Sequence, residues 1–150
     1  MSAWANRLRR RRLDERGSAA IEAAIGIPAF GLFVGMIIMG GRVEMAKQSV
    51  ESAAYEAARA ASIERTQGQA ITSGKTAAAS SLGGQSVQCT STNITINAAA
   101  FNAPLGTTAQ VTATVTCRVD LSDLALPGVP GHRVITASAS SPVDAYRERR

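Results

Sequence analysis

Aromatic side chains are scarce in this chain of 150 residues: one Trp, two Tyr and three Phe, or 4%. A folded part with so few large rings has a thin core and depends more heavily on other sources of stability. There is one histidine, His132, next to a Pro-Gly-rich loop with no GxSxG or paired-carboxylate context. The sequence therefore offers no nucleophile–base arrangement and points away from an enzyme. His132 and Cys117, 15 residues apart at closest approach, make a poor start for a metal site, and no residue set suggests a cofactor or a small-molecule substrate.

Charge is also sparse beyond the N-terminus. The formal net charge of +5 divides into +4 over the first 16 residues and +1 over the remaining 134, which hold ten basic and nine acidic residues. The N-terminal excess comes from Arg7, Arg9, Arg10, Arg11, Arg12 and Arg16, set against Asp14 and Glu15. No aromatics interleave with these arginines and no recognition module succeeds them, so the pattern speaks against a nucleic-acid partner. It reads instead as a topogenic leader, residues 1–17.

Behind the leader comes a run of 23 residues, 19–41, with one ionisable side chain, Glu22. At about 1.5 Å per residue it extends roughly 35 Å as a helix, enough to cross a hydrocarbon core of about 30 Å with some tilt. Residues 18–41 are expected to be a single transmembrane helix in the cytoplasmic membrane. Arginine-rich flanks stay in the cytoplasm, so the N-terminus is expected inside and the C-terminal part outside. Gly31 and Gly35 form a GxxxG match that places two small residues on one face. The same pair also fits a membrane helix that is merely rich in glycine.

Residues 42–66 contain no Pro or Gly, and Val43, Ala46, Val50, Ala53, Ala57 and Ala60 recur at helical spacing. The membrane helix is therefore expected to continue as an amphipathic helix with a narrow, small-residue stripe. Residues 67–82 suit a second short helix that stops at Gly83-Gly84. Beyond it, residues 92–96 and 111–121 alternate apolar with polar, the mark of half-buried strands, and residues 133–143 read as a third. The expected class is α+β: a long N-terminal membrane-spanning helix continuing into an external helix, packed on a small antiparallel β-sheet domain within residues 67–150. Cys89 and Cys117 fall near the start of one strand and on the inward face of the next. Antiparallel neighbours would let them meet as a disulfide, which an even count in an oxidising compartment favours, while two unpaired buried cysteines remain the other reading.

A carboxylate near the start of a membrane helix needs a reason. Glu22 lies five residues beyond a candidate cleavage point between Gly17 and Ser18, an arrangement that resembles a prepilin processing signal. The run RGSAAIEAAIGIPAFGLF, together with VESAAYEAARAAS downstream, resembles the TadE-like family of Tad (tight-adherence) pilus pseudopilins. The likeness covers residues 16–62 and, more loosely, the closing PVDAYR; Ala23 departs from an aromatic common in the family at that place. The resemblance implies a membrane-anchored, non-enzymatic protein that helps assemble a Tad or Flp-type pilus. Its implied partners are the bilayer, pilins, pseudopilins, a membrane platform and a prepilin peptidase. After cleavage, the Ser18 amine of one subunit could pair with Glu22 of another. On the other hand, a glutamate in a helix's first turn is also favoured by the macrodipole and can snorkel to water. A plain, uncleaved single-pass anchor presenting a small external interaction domain is the alternative function.

Overall fold

The computed structural model describes residues 2–85, 87, 89–124, 128 and 130–146, with side chains from Ala19 onward except Leu124. The element order is helix, helix and three strands, an α+β arrangement. Helix α1 spans Ser2–Ser62 and carries Pro28 within it. The chain divides into two compact units, Met1–Met39 and Gly40–Arg150.

The first unit is helical throughout its described residues. No Gly or Pro interrupts residues 2–16, and arginine is a good helix former. From Ala19 on, its apolar side chains are exposed around the helix, Ile21, Ile25, Phe30, Phe33 and Met36 among them.

In the second unit, α1 ends at Ser62, short of the expected boundary at 66. Its last turn closes with the Ser62 hydroxyl donating to Arg59 O at 2.9 Å. A new helix then starts at once. Thr66 caps α2, Gln67–Gly83, by accepting from the Gln69 N–H at 3.2 Å, while its hydroxyl meets Gln69 Oε1 at 3.1 Å. A threonine followed three residues later by glutamine is the capping-box pattern, and it redirects the chain without a glycine. The far end of α2 closes with Gly84 N–H on Ser80 O at 3.0 Å.

Strands β1 (Cys89–Asn97), β2 (Ala109–Asp120) and β3 (His132–Val143) form an antiparallel sheet in the order β1-β2-β3. The central strand alternates as its sequence requires. Val111, Ala113, Val115, Cys117 and Val119 are buried on one face, with Ile96 and Ile135 beside them on the neighbouring strands. The opposite face carries hydroxyls that pair between β2 and β3: Thr112 with Ser140 at 2.9 Å, Thr114 with Ser138 at 2.8 Å, Thr116 with Thr136 at 3.1 Å. Between β1 and β2 a 3-10 turn, Ala99–Asn102, buries Phe101, the one aromatic in the core among the described residues.

On the α1 side the core is made of small side chains: Ala46, Val50, Ala53, Ala54, Ala57, Ala58 and Ala61 are all buried. This stripe is wider than the expected one, and Val43 and Ala60 are only half-buried at its margins. α2 packs on α1 at Ala57, a member of the expected row. A side chain at Gly74 would sit 3.1 Å from Ala57 O and 3.0 Å from Ile96 Cδ1, so a glycine is what brings α2 against α1 and β1. Two contacts set the direction of α1 along the sheet. Arg42 bonds Asp123 just past the end of β2, and the Ser141 hydroxyl on β3 donates to Ser62 at 2.9 Å. From residue 42 to 62 the helix rises about 30 Å, the length of a nine-residue strand.

Candidate functional site: the apolar helix, its carboxylate and the cysteine pair

Two places concentrate the residues that the sequence singles out: the apolar stretch of α1 and the cysteine-bearing end of the sheet. The first is strongly apolar, and none of its most apolar 18 residues is buried. Among the described residues α1 is one helix long and apolar enough to cross a membrane. Burying such side chains in a lipid or protein environment is worth about 1.5–3 kcal/mol each. Leaving Ile21, Ile25, Ile27, Phe30, Phe33 and Met36 all in water would be correspondingly costly.

Glu22 interrupts this stretch near its start and is exposed. Ser18 precedes it by four residues, one helical turn and about 6 Å along the axis. Both residues lie within α1, but the side-chain surroundings of Gly17, Ser18 and the arginines from Arg7 to Arg16 fall outside the described residues. Gly31 and Gly35 are four apart and therefore share a face. Among the described residues nothing approaches within 4 Å of a Cβ position at Gly31, so its face is open to another helix.

At the sheet, Cys89 and Cys117 form a disulfide with a Cα separation of 5.4 Å. The geometry comes from register: Cys89 lies opposite Val119 and Thr92 opposite Cys117, with a shift between Cys89 and Ser91 that carries the first cysteine toward the second. Cys89 also lines a cleft of about 1160 Å³ with Arg42, Met45, Ser49, Leu121 and Asp123. The Arg42–Asp123 bond, 2.5 Å long, is half exposed and adds at most about 1 kcal/mol. Asp120, on the same cleft, has its carboxyl held below the ordinary 3.8, first by the Ser122 hydroxyl and then by the Ser122 N–H, at 2.9 Å.

No histidine is among the described residues that line this cleft. Among the described residues no group of three or more His, Cys, Asp and Glu could hold a metal ion. His132 begins β3 on the surface. Along α1 Lys47 reaches Glu44, three residues before it, at 3.8 Å. The Arg42–Asp123 contact joins residues 81 positions apart, and no local pattern signals it. The hydroxyl ladder, by contrast, is visible as Thr at 112, 114 and 116 and Thr/Ser at 136, 138 and 140.

No curated protein and no solved structure matches the chain. A family model does: residues 17–59, from the glycine before the apolar stretch to the alanine-rich core segment of α1, match the family described as TadE-like protein.

Proposed function

We propose that this chain is a membrane-anchored pseudopilin or minor pilin that contributes to assembly of a Tad (Flp-type) pilus and has no catalytic role. The observation that carries this reading is the TadE-like match over residues 17–59, the segment that contains both the apolar stretch and Glu22. In this reading the N-terminus is cytoplasmic, the helix crosses the cytoplasmic membrane once, and residues 42–150 stand on the far side. An oxidising compartment there suits the Cys89–Cys117 bond. Cleavage by a prepilin peptidase between Gly17 and Ser18 leaves an ammonium one turn from Glu22. Pairing that ammonium with Glu22 of a neighbouring subunit offsets the cost of a charge in the bilayer, some 2.5–3.5 kcal/mol at a helix centre on insertion scales. Its partners are pilins, other pseudopilins and the membrane platform of the same system.

Intact-mass measurement of the membrane form, with and without the peptidase, tests the processing step. A mass beginning at Ser18 supports it. An uncut chain beside an active peptidase replaces this reading with the uncleaved anchor that presents a small interaction domain. Glu22→Ala leaves the bond and the helix in place, and is expected to lower pilus assembly while membrane level stays normal. Normal piliation with that variant reduces Glu22 to a helix-start residue. Glu22→Gln keeps hydrogen bonding without charge, and under the pairing scheme behaves like Glu22→Ala.

A further inference from the structure

The sheet has two edges, and they differ. β1 is nine residues long, its register is broken between Cys89 and Ser91, and α2 packs beside it at Ile96. β3 is 12 residues long and pairs with β2 in unbroken register. Residues 134–143 carry no charged side chain. Exposed edges are ordinarily blunted by charges, bulges or proline, and β3 has only Arg133 and Pro142, close to its two ends.

The free backbone groups on this edge can be assigned. Leu121 N–H donates to Gly131 O at 2.9 Å on the β3 side, and the Thr90 hydroxyl donates to Arg118 O at 2.9 Å on the β1 side. Odd residues of β2 therefore direct their backbone groups toward β3, and even ones toward β1. Carried through the register, this makes Val134, Thr136, Ser138 and Ser140 direct their N–H and C=O groups away from β2. Among the described residues no strand meets them.

We propose that this edge is closed by the β3 strand of a second copy of the chain. A row of alternating donors and acceptors is matched by extended backbone. The side chains select which strand. On the outer face Thr136, Ser138 and Ser140 already pair with hydroxyls of β2, and a strand with a hydroxyl at every second position continues the ladder. β3 is such a strand with a free edge; β2 has the pattern but both its edges are taken. The uncharged sequence means two copies bring no like charges together. On the inner face, a groove of about 610 Å³ between Gln48, Glu51 and Tyr55 of α1 and residues 136–139 of β3 has room for alanine-sized side chains, which β3 supplies at Ala137 and Ala139. Val134 and Tyr55, more than half exposed in the single chain, gain cover. One strand pair is smaller than the 1,200 Å² or more (roughly) of stable soluble complexes, so the pairing depends on a membrane that holds copies close. It does not depend on cleavage at Gly17 or on the pilus reading.

The test uses the full chain in membranes, with Ser138→Cys treated with a short bis-maleimide. A dimer of this chain is expected, about tenfold stronger than with Thr95→Cys on β1, and reduced about tenfold by adding Ser140→Pro, which removes an outward N–H that β2 does not use. Ala139→Lys, an inward-pointing charge on the edge, provides a second block. Resistance of Cys89 and Cys117 to alkylation certifies that a blocked variant is folded. A dimer unaffected by a folded blocking variant, equal cross-linking at Thr95, no dimer at Ser138, or cross-linking at Ser138 only to a different protein each overturns the proposal.

Discussion

Single atoms decide the outcome at several positions. Gly74→Ala gains about 1 kcal/mol of helix propensity but places a methyl 3.1 Å from a backbone oxygen of α1 and 3.0 Å from Ile96. The carbonyl cannot rotate away, so overpacking wins and the variant is expected to lose about 1–2 kcal/mol. Gly68→Ala meets nothing within 4 Å and is expected to be neutral or to gain up to about 1 kcal/mol. Denaturant titration of both variants checks the opposite signs, and stabilisation by Gly74→Ala would show that α2 does not press on α1. Asp120 makes a pH-dependent case. Its carboxyl titrates below the ordinary 3.8 in the folded state because the Ser122 hydroxyl and N–H bond its charged form. The folded state thus holds fewer protons than the unfolded one near that value. The stabilisation is present above 3.8 and is lost as pH falls through the depressed value. Asp120→Asn is expected to flatten that part of the acid limb in thermal melts between about pH 2 and 6, with little change at neutrality.

At the scale of elements, the disulfide helps hold a small-residue core together. Its cysteines are separated by 28 positions, for which the chain-entropy model gives about 3–4 kcal/mol. Replacing both with alanine is expected to cost that much, measured by urea unfolding in detergent, and more if the buried site of Cys117 fails to collapse. The sheet and the helix order were legible in the chain because period-two alternation in β2 leaves no other way to bury Val111, Val115 and Cys117 together. α2 was legible from the glycines that end it. The full buried face of α1 was not. Alanine is at home on either side of a helix, so Ala54, Ala58 and Ala61 carried no sign that they are buried. Gly74, by itself a poor helix former, is a contact point in the fold. As for the candidate site, Glu22 and the apolar stretch stand out in sequence because a lone carboxylate there is unusual. The cleft beside Cys89 draws on residues from three separate stretches of chain, and its assembly depends on long-range packing that no local pattern encodes.

For the whole molecule, orientation is the property most open to direct test. With the arginine cluster inside, a cysteine introduced at Ser2 is expected to resist a membrane-impermeant maleimide applied to intact cells, and one at Ser141 to react; the reverse pattern rejects the orientation. Substituting Gly17 by a bulky residue is expected to block processing and leave insertion unchanged, read by the same intact-mass measurement. The cysteine bond has a further consequence, for mechanics. Load applied between α1 and the C-terminal end passes from Cys89 directly to Cys117 through sulfur and bypasses the chain between them. At about 3.4 Å per residue, roughly 95 Å of contour length is withheld from extension. Under tension β3 can peel away, yet the ribbon of β1 and β2 stays closed as a covalent ring, and only a reductant releases the hidden length. Cys89–Cys117 thus acts as a stop that limits how far the domain can stretch before its tether must bear the pull.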